Sequence, residues 1–342
     1  MTNLAIAANG LRKSYRDKNG EKVVLDGIDL AVPEGTVFSL LGPNGAGKTT
    51  TVQILSTLIR PDGGTVQVAG FDLARQADDV RGAIGVTGQY SAVDKLLTGE
   101  ENLLLMADLR HLSRRDGKRR AAELLERFDL VEAAGKTAST YSGGMQRRLD
   151  LAMTLVGDPR LIFLDEPTTG LDPRSRRSMY QIIRDLVADG VTIFLTTQYL
   201  EEADELADHI ALLDHGTLIA QGTPEELKRL IPGGHISLRF TDDDSLKTAL
   251  DTLGQGFVDP SDDDRLTLQI PSDGGVASLR ELLARLDTAD IEPADLSIHT
   301  PDLDDVFLTL TGQHTGQHTD QHTDQHTDQH TGQHTDQNAE AL

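Results

Sequence analysis

Residues 42–50 read GPNGAGKTT, so Gly42, Pro43, Asn44, Gly45, Ala46, Gly47, Lys48, Thr49 and Thr50 satisfy the pattern G-x-x-x-x-G-K-[ST]. Glycines in such a loop let successive backbone N–H groups point inward, and the start of the following helix adds its positive end, which makes a cradle for phosphate oxygens. Lys48 is placed to bridge β and γ phosphates, and Thr49 to offer a hydroxyl to Mg²⁺, a hard cation that prefers oxygen. Further along, residues 161–167 read LIFLDEP, an apolar strand that ends in two carboxylates. Asp165 there suits Mg²⁺ held through water, and Glu166 suits polarising the water that attacks a γ-phosphate. Residues 141–145 read YSGGM, and the hydroxyl of Ser142 with the N–H groups of Gly143 and Gly144 would form a second anion-binding surface at a helix start. Taken singly, each motif has a plain structural alternative: a glycine turn, an acidic strand end, a capped helix. Their company is what argues for chemistry.

The elements around these motifs must bring them together. Residues 37–41, 161–164 and 191–195 are short apolar runs of strand length, and helical patterns alternate with them, so an α/β arrangement with a buried parallel sheet is expected. Between residues 175 and 189, Met179, Ile182, Ile183, Leu186 and Val187 form a helical stripe that Gly190 ends. Asn19-Gly20 between two strand-like runs predicts a hairpin, hence an antiparallel layer beside the parallel sheet. The breaker cluster Ile231, Pro232, Gly233, Gly234 marks a boundary. The expected domains are residues 1–232, a small α+β unit at 233–312, and a tail at 313–342. In the small unit, strands are expected at 235–241, 265–270 and 294–299, and helices at 245–253, 276–286 and 303–310. The acidic runs 242–244 and 262–264 are expected in its turns as solvated surface. The tail repeats Gln-His-Thr-Asp or Gln-His-Thr-Gly, too polar for a core, and is predicted to be disordered.

Composition narrows the function. Of 342 residues, 32 are Lys or Arg and 55 are Asp or Glu, a formal charge of −23 that disfavours nucleic acid as a partner. The charge is uneven: 27 basic and 33 acidic groups before the boundary, 5 and 17 in the small unit, and 5 acidic groups in the tail. No cysteine is present, which excludes thiol catalysis and thiolate metal sites. No apolar run approaches the ~18 residues of a spanning helix, and the amino terminus lacks the pattern of a signal peptide.

With the phosphate loop and the Asp-Glu strand end, the Ser-Gly-Gly core resembles the ATP-binding cassette superfamily over about 220 residues, Tyr141 and Met145 being departures from the usual LSGGQ. The resemblance implies an α/β P-loop cassette with an antiparallel β subdomain and a helical subdomain, to which the small domain is added. It implies that Tyr15 stacks on adenine, that Gln89 lies in the loop that senses Mg²⁺ and touches the membrane partner, and that Asp172 joins two sites. It also implies a head-to-tail homodimer that holds ATP between one subunit's phosphate loop and the other's Ser-Gly-Gly. Where the family usually carries a switch histidine, this chain has Gln198, which can donate a hydrogen bond to the γ-phosphate and orient water. YSGGMQRRLDLA, LDEPTTGLDPRSR, TTQYLEEADELAD and the terminal DLDDVFLTLTG together resemble the daunorubicin-resistance ATP-binding subunits. That implies an ATPase at the cytoplasmic side of the cell membrane, held peripherally by a permease on a separate chain, exporting hydrophobic drugs. The helical region 89–136 is where the permease is expected to dock. A transporter subunit with another cargo or direction, a cassette ATPase of ribosome or chromosome, and a nucleotide-binding regulator with little turnover stay open at this point.

Overall fold

The computed structural model describes residues 3–17, 20–88, 92–231, 234–253, 257–258, 266–272, 275–299 and 301–316. Strands Val37–Leu41, Leu161–Asp165 and Thr192–Thr197 are buried at every position, including the polar Ser39, Asp165, Thr192, Thr196 and Thr197, as strands covered on both faces are. They lie in a six-stranded sheet whose spatial order is Thr217–Gly222, His209–Asp214, Val37–Leu41, Thr192–Thr197, Leu161–Asp165, Ile84–Thr87. All neighbours run parallel except the edge pair Thr217–Gly222 and His209–Asp214. Register sets the site: Leu41 pairs with Thr197, and Asp165 with Thr196, so three strands finish level at their carboxyl ends. An aromatic seam fixes the middle of the sheet, with Phe38 and Phe194 stacked at 5.5 Å between ring centroids and Phe163 tilted against Phe194.

One core lies between this sheet and a four-stranded antiparallel sheet of order Gly20–Pro33, Leu4–Asp17, Gly63–Val68, Phe71–Asp72, with the helix Lys48–Leu55 in the same layer. The expected hairpin is present, Asp17 pairing with Gly20, while Asn19 lies outside the described residues. The other core lies beneath helices Gly99–Leu109, Arg114–Arg127, Gly143–Thr154 and Pro173–Ala188. A side chain caps the start of each: Thr98 and Glu101 form a capping box, Ser113 accepts from Asp116 N–H, and Ser142 and Asp172 cap the other two.

Beyond residue 231 a second antiparallel sheet has the order Phe257–Val258, Thr267–Pro271, His235–Arg239, Asp295–His299. Helices Asp243–Leu253 and Val276–Thr288 cover its apolar face. Three expectations need correction here. The run 242–244 is not a turn: a helix begins at Asp243, and Asp242 accepts from Ser245 N–H at 2.8 Å, as a carboxylate at a helix start does. The strand Phe257–Val258 is too short for a periodicity signal and was not expected. The last helix, Leu303–Gly316, passes the boundary expected at 312 and does not close over the small sheet. Its Leu303 and Val306 pack instead with Ala203, Ala207, Leu227 and Ile231 of the cassette. The run 262–264 and most of the terminal repeat lie outside the described residues.

Candidate nucleotide site

The phosphate loop joins the strand Val37–Leu41 to the helix Lys48–Leu55, and its glycines answer to specific geometry. A Cβ on Gly42 would come within 2.1 Å of the Leu213 carbonyl oxygen. Gly47, at φ +114°, holds a left-handed backbone directly against Leu25 and caps the helix. Lys48 is 5% exposed, and its Nζ donates to the carbonyls of Gly42 at 2.7 Å and Pro43 at 3.1 Å. Burial holds its pKa below the ordinary lysine value, with Glu166 and Asp165 pulling the other way. The ammonium is thus poorly solvated and folded over the loop mouth, where an incoming phosphate would compete with the two carbonyls.

Asp165 closes its strand almost fully buried, accepting from the Thr196 hydroxyl of the adjacent strand. Glu166 follows at φ +50°, a backbone state that non-glycine residues rarely hold without support. That support is visible: Glu166 N–H donates to Thr196 O at 3.1 Å, and Arg147 donates to the carbonyls of Asp165, Glu166 and Pro167 at 3.1, 3.2 and 3.0 Å. The Glu166 carboxylate accepts from the Thr169 hydroxyl at 3.3 Å. Behind this turn, Glu202 of the helix Leu200–Leu206 is 2% exposed and accepts from Thr168 Oγ1 at 2.8 Å. Burial pushes its carboxyl above the usual range, partly countered by neighbouring threonine hydroxyls and Arg176.

Ser142 caps the helix Gly143–Thr154 by accepting from Met145 N–H, and Ser142 and Gly143 are exposed. Tyr141, the departure at the first position of the motif, is buried and donates to Ala133 O at 2.7 Å. Gly144 is buried against the next helix: a Cβ there would lie 2.5 Å from Ser175 Oγ. Ser175 in turn donates to Asp172, which caps the helix Pro173–Ala188 by accepting from Arg174 and Ser175 N–H. These bonds, the Ser175 hydroxyl foremost, hold the Asp172 carboxyl below its ordinary value.

Lys48, Thr49, Asp165, Glu166 and Gln198 therefore share the carboxyl ends of adjacent strands. Gln198 is half-buried, and its side chain makes no hydrogen bond among the described residues. Tyr15 is an exposed strand residue with Lys13 Nζ 5.4 Å from its ring centre, an open face that a base could stack on. Gln89 lies outside the described residues. Sequence reasoning missed Arg147 and Glu202. For Glu202 the available signal was positional, since it shares a helix face with the buried Ala203 and Leu206; Arg147 stands among residues of like burial and carries no such signal.

A parallel sheet with a phosphate loop, a paired-carboxylate strand end and a Ser-Gly-Gly helix start beside a helical subdomain defines an ATP-binding cassette. The model of the ABC transporter family matches residues 25–169. Daunorubicin resistance ATP-binding protein DrrA2 of Streptomyces coeruleorubidus is 48% identical over 317 residues, 92% of this chain and 97% of the relative. Doxorubicin resistance ATP-binding protein DrrA of Mycobacterium tuberculosis is 46% identical, covering 91% of this chain and 95% of the relative. The post-hydrolysis dimer of the cassette MJ0796 with ADP and Pi matches with a TM-score of 0.59 at 27% identity, over 64% of this chain and 98% of that one. The chain belongs to the ABC transporter ATP-binding family, in the branch of the daunorubicin- and doxorubicin-resistance ATP-binding proteins, and is an ATPase of that family.

Proposed function

We propose that this chain hydrolyses MgATP between two head-to-tail copies and thereby drives a separate membrane permease that exports hydrophobic compounds of the daunorubicin type. The observation that carries the reading is the convergence of Lys48, Asp165, Glu166 and Gln198 at level strand ends, with Ser142 and Gly143 left exposed for a partner's nucleotide. Thr49 and Asp165 offer hard oxygen donors, and Thr49 Oγ1 has no hydrogen bond among the described residues, which fits Mg²⁺. The ion, when bound, would neutralise charge on the β and γ phosphates. Lys48 then binds those phosphates, and Glu166, fixed by its left-handed turn, accepts the proton of the attacking water. Gln198 donates to the γ-phosphate and aligns that water without taking a proton.

Among the described residues no helix is long and apolar enough to cross a membrane, consistent with a permease on another chain. A groove of about 430 Å³ between the sheet edge and the helical subdomain supports docking there. Leu58 and Leu109, 69% and 62% exposed, line it together with Arg81 and Arg110. The decisive experiment is ATP turnover in membranes that contain the chain and its permease. Turnover should rise with daunorubicin and vanish in Lys48→Ala; turnover indifferent to the drug would remove the cargo assignment. Glu166→Gln should lose at least about a hundredfold in turnover, bind ATP normally and accumulate as a dimer. Full activity in that variant would take Glu166 out of its role.

A further inference from the structure

Arg147 lies in the second turn of the helix Gly143–Thr154, with its side chain only 11% exposed. Its guanidinium is shared among four main-chain carbonyls: Nε donates to Pro167 at 3.0 Å, Nη1 to Gly88 at 3.0 Å, and Nη2 to Asp165 at 3.1 Å and Glu166 at 3.2 Å. Three consecutive carbonyls can converge on one guanidinium only because the chain reverses at Glu166, where φ is +50°. One turn further along the helix, Asp150 sits 3.6 Å from Arg147 Nη1, is 3% exposed, and accepts from Ala92 N–H at 3.1 Å. The pair thus ties one helix both to the turn that bears the catalytic carboxylate and to Gly88 and Ala92 of the sheet-edge connection.

This helix starts at the Ser-Gly-Gly surface. In a head-to-tail dimer its first residues meet the nucleotide held by the partner, while Arg147 braces Glu166 in the chain's own site. We propose that Arg147, seated by Asp150, is a positioning residue that couples the two nucleotide sites of the dimer. Engagement of Ser142, Gly143 and Gly144 by one nucleotide sets the helix, and the guanidinium then fixes the Glu166 turn facing the other. The inference rests on the dimeric reading of the site given above. A planar fork with several fixed donors is needed for it; a single point charge cannot hold four carbonyls at once.

The test is the ATP dependence of turnover for the full chain with its permease in membranes. Saturation should be cooperative in the unaltered protein, with a Hill coefficient above 1. Arg147→Gln should bring that coefficient to 1 and lower kcat at least about tenfold, while half-saturating ATP changes less than about threefold. Arg147→Lys, which keeps the charge without the fork, should behave like Arg147→Gln, and Asp150→Asn should show the same trend in weaker form. Thermal unfolding and binding of a fluorescent ATP analogue identify any variant that does not fold, in which case Asp150→Asn carries the measurement. Non-cooperative saturation in the unaltered protein, cooperative saturation in Arg147→Gln, or full recovery in Arg147→Lys overturns the proposal. ATP-driven dimerisation of Glu166→Gln separates the two levels. Its absence refutes the dimeric site itself, whereas its presence alongside a cooperative Arg147→Gln refutes only the coupling.

Discussion

Gly143 and Gly144 are adjacent in the chain, yet an added methyl group should have opposite effects on stability at the two positions. Replacing glycine by alanine in a helix gains roughly 0.5–1 kcal/mol from backbone entropy. At Gly143 nothing lies within 4 Å of the new Cβ, so the gain is unopposed. At Gly144 the Cβ would stand 2.5 Å from Ser175 Oγ and 3.0 Å from Ser175 Cβ. Ser175 cannot easily rotate away, because its hydroxyl donates to Asp172 at 2.6 Å. Overpacking of this kind costs about 1–3 kcal/mol, so the clash offsets or exceeds the entropy gain and leaves a net loss of up to about 2.5 kcal/mol. For a domain of this size each kcal/mol moves Tm by about 2–4 °C. Gly144→Ala should therefore melt lower by up to about 10 °C, and Gly143→Ala about 1–4 °C higher, in thermal unfolding of the ATP-free chain. Turnover should nevertheless fall in both, since the methyl at position 143 stands where a partner's nucleotide would lie. Ser175→Gly removes both atoms that a methyl at position 144 would meet, so the double-mutant cycle of Gly144→Ala with Ser175→Gly should show about 1–3 kcal/mol of favourable coupling, the clash alone. Simple additivity, or a melting shift of the same sign for the two glycine variants, would refute the packing argument.

Gln198→His should keep turnover within about tenfold of the unaltered chain if, as proposed, glutamine serves only as the donor that orients water; a larger fall would mean that the amide is specifically required. Tyr141→Phe removes the only side-chain donor bonded to the Ala133 carbonyl among the described residues, and denaturant unfolding should register a loss of roughly 1 kcal/mol. A neutral result there would show that the Lys136 N–H, which also donates to this carbonyl at 2.9 Å, satisfies it alone. Glu202 has a folded-state pKa raised above its ordinary 4.5, so the unfolded chain ionises first as pH rises, and folding is penalised increasingly from that value up to the raised one. Glu202→Gln keeps an acceptor for Thr168 and lacks this penalty, so its Tm relative to the unaltered chain should climb between acid and neutral pH; a pH-independent difference would contradict a raised pKa.

The central strands were readable because both faces of a parallel sheet are covered, which leaves a mostly apolar run such as Val37–Leu41, broken by Ser39 alone. The phosphate loop was readable because its glycines serve backbone geometry that other residues cannot adopt. Arg147 and Glu202 escaped for the converse reason. A charged side chain is ordinarily solvated, and only the tertiary fold reveals that carbonyls of a distant turn await Arg147 or that Thr168 meets Glu202. Asp242 was misplaced because a carboxylate suits a turn and a helix cap equally well. The break near residue 232 was legible in its proline and glycines, but the return of Leu303 and Val306 to the cassette is a long-range contact that local patterning does not encode.

That return bears on how the protein is made. Ile231 leaves the cassette and the helix Leu303–Gly316 comes back to the same wall, over Ala203, Ala207 and Leu227. A ribosome moving at about 5–20 residues per second needs roughly 4–14 s to synthesise the intervening stretch of about 70 residues. During that interval the nascent cassette has its sheet and its phosphate loop, yet one apolar wall stands open to water. Chaperone capture should concentrate in that window, and a message cut short within it would yield a sticky, unfinished cassette rather than a smaller working one.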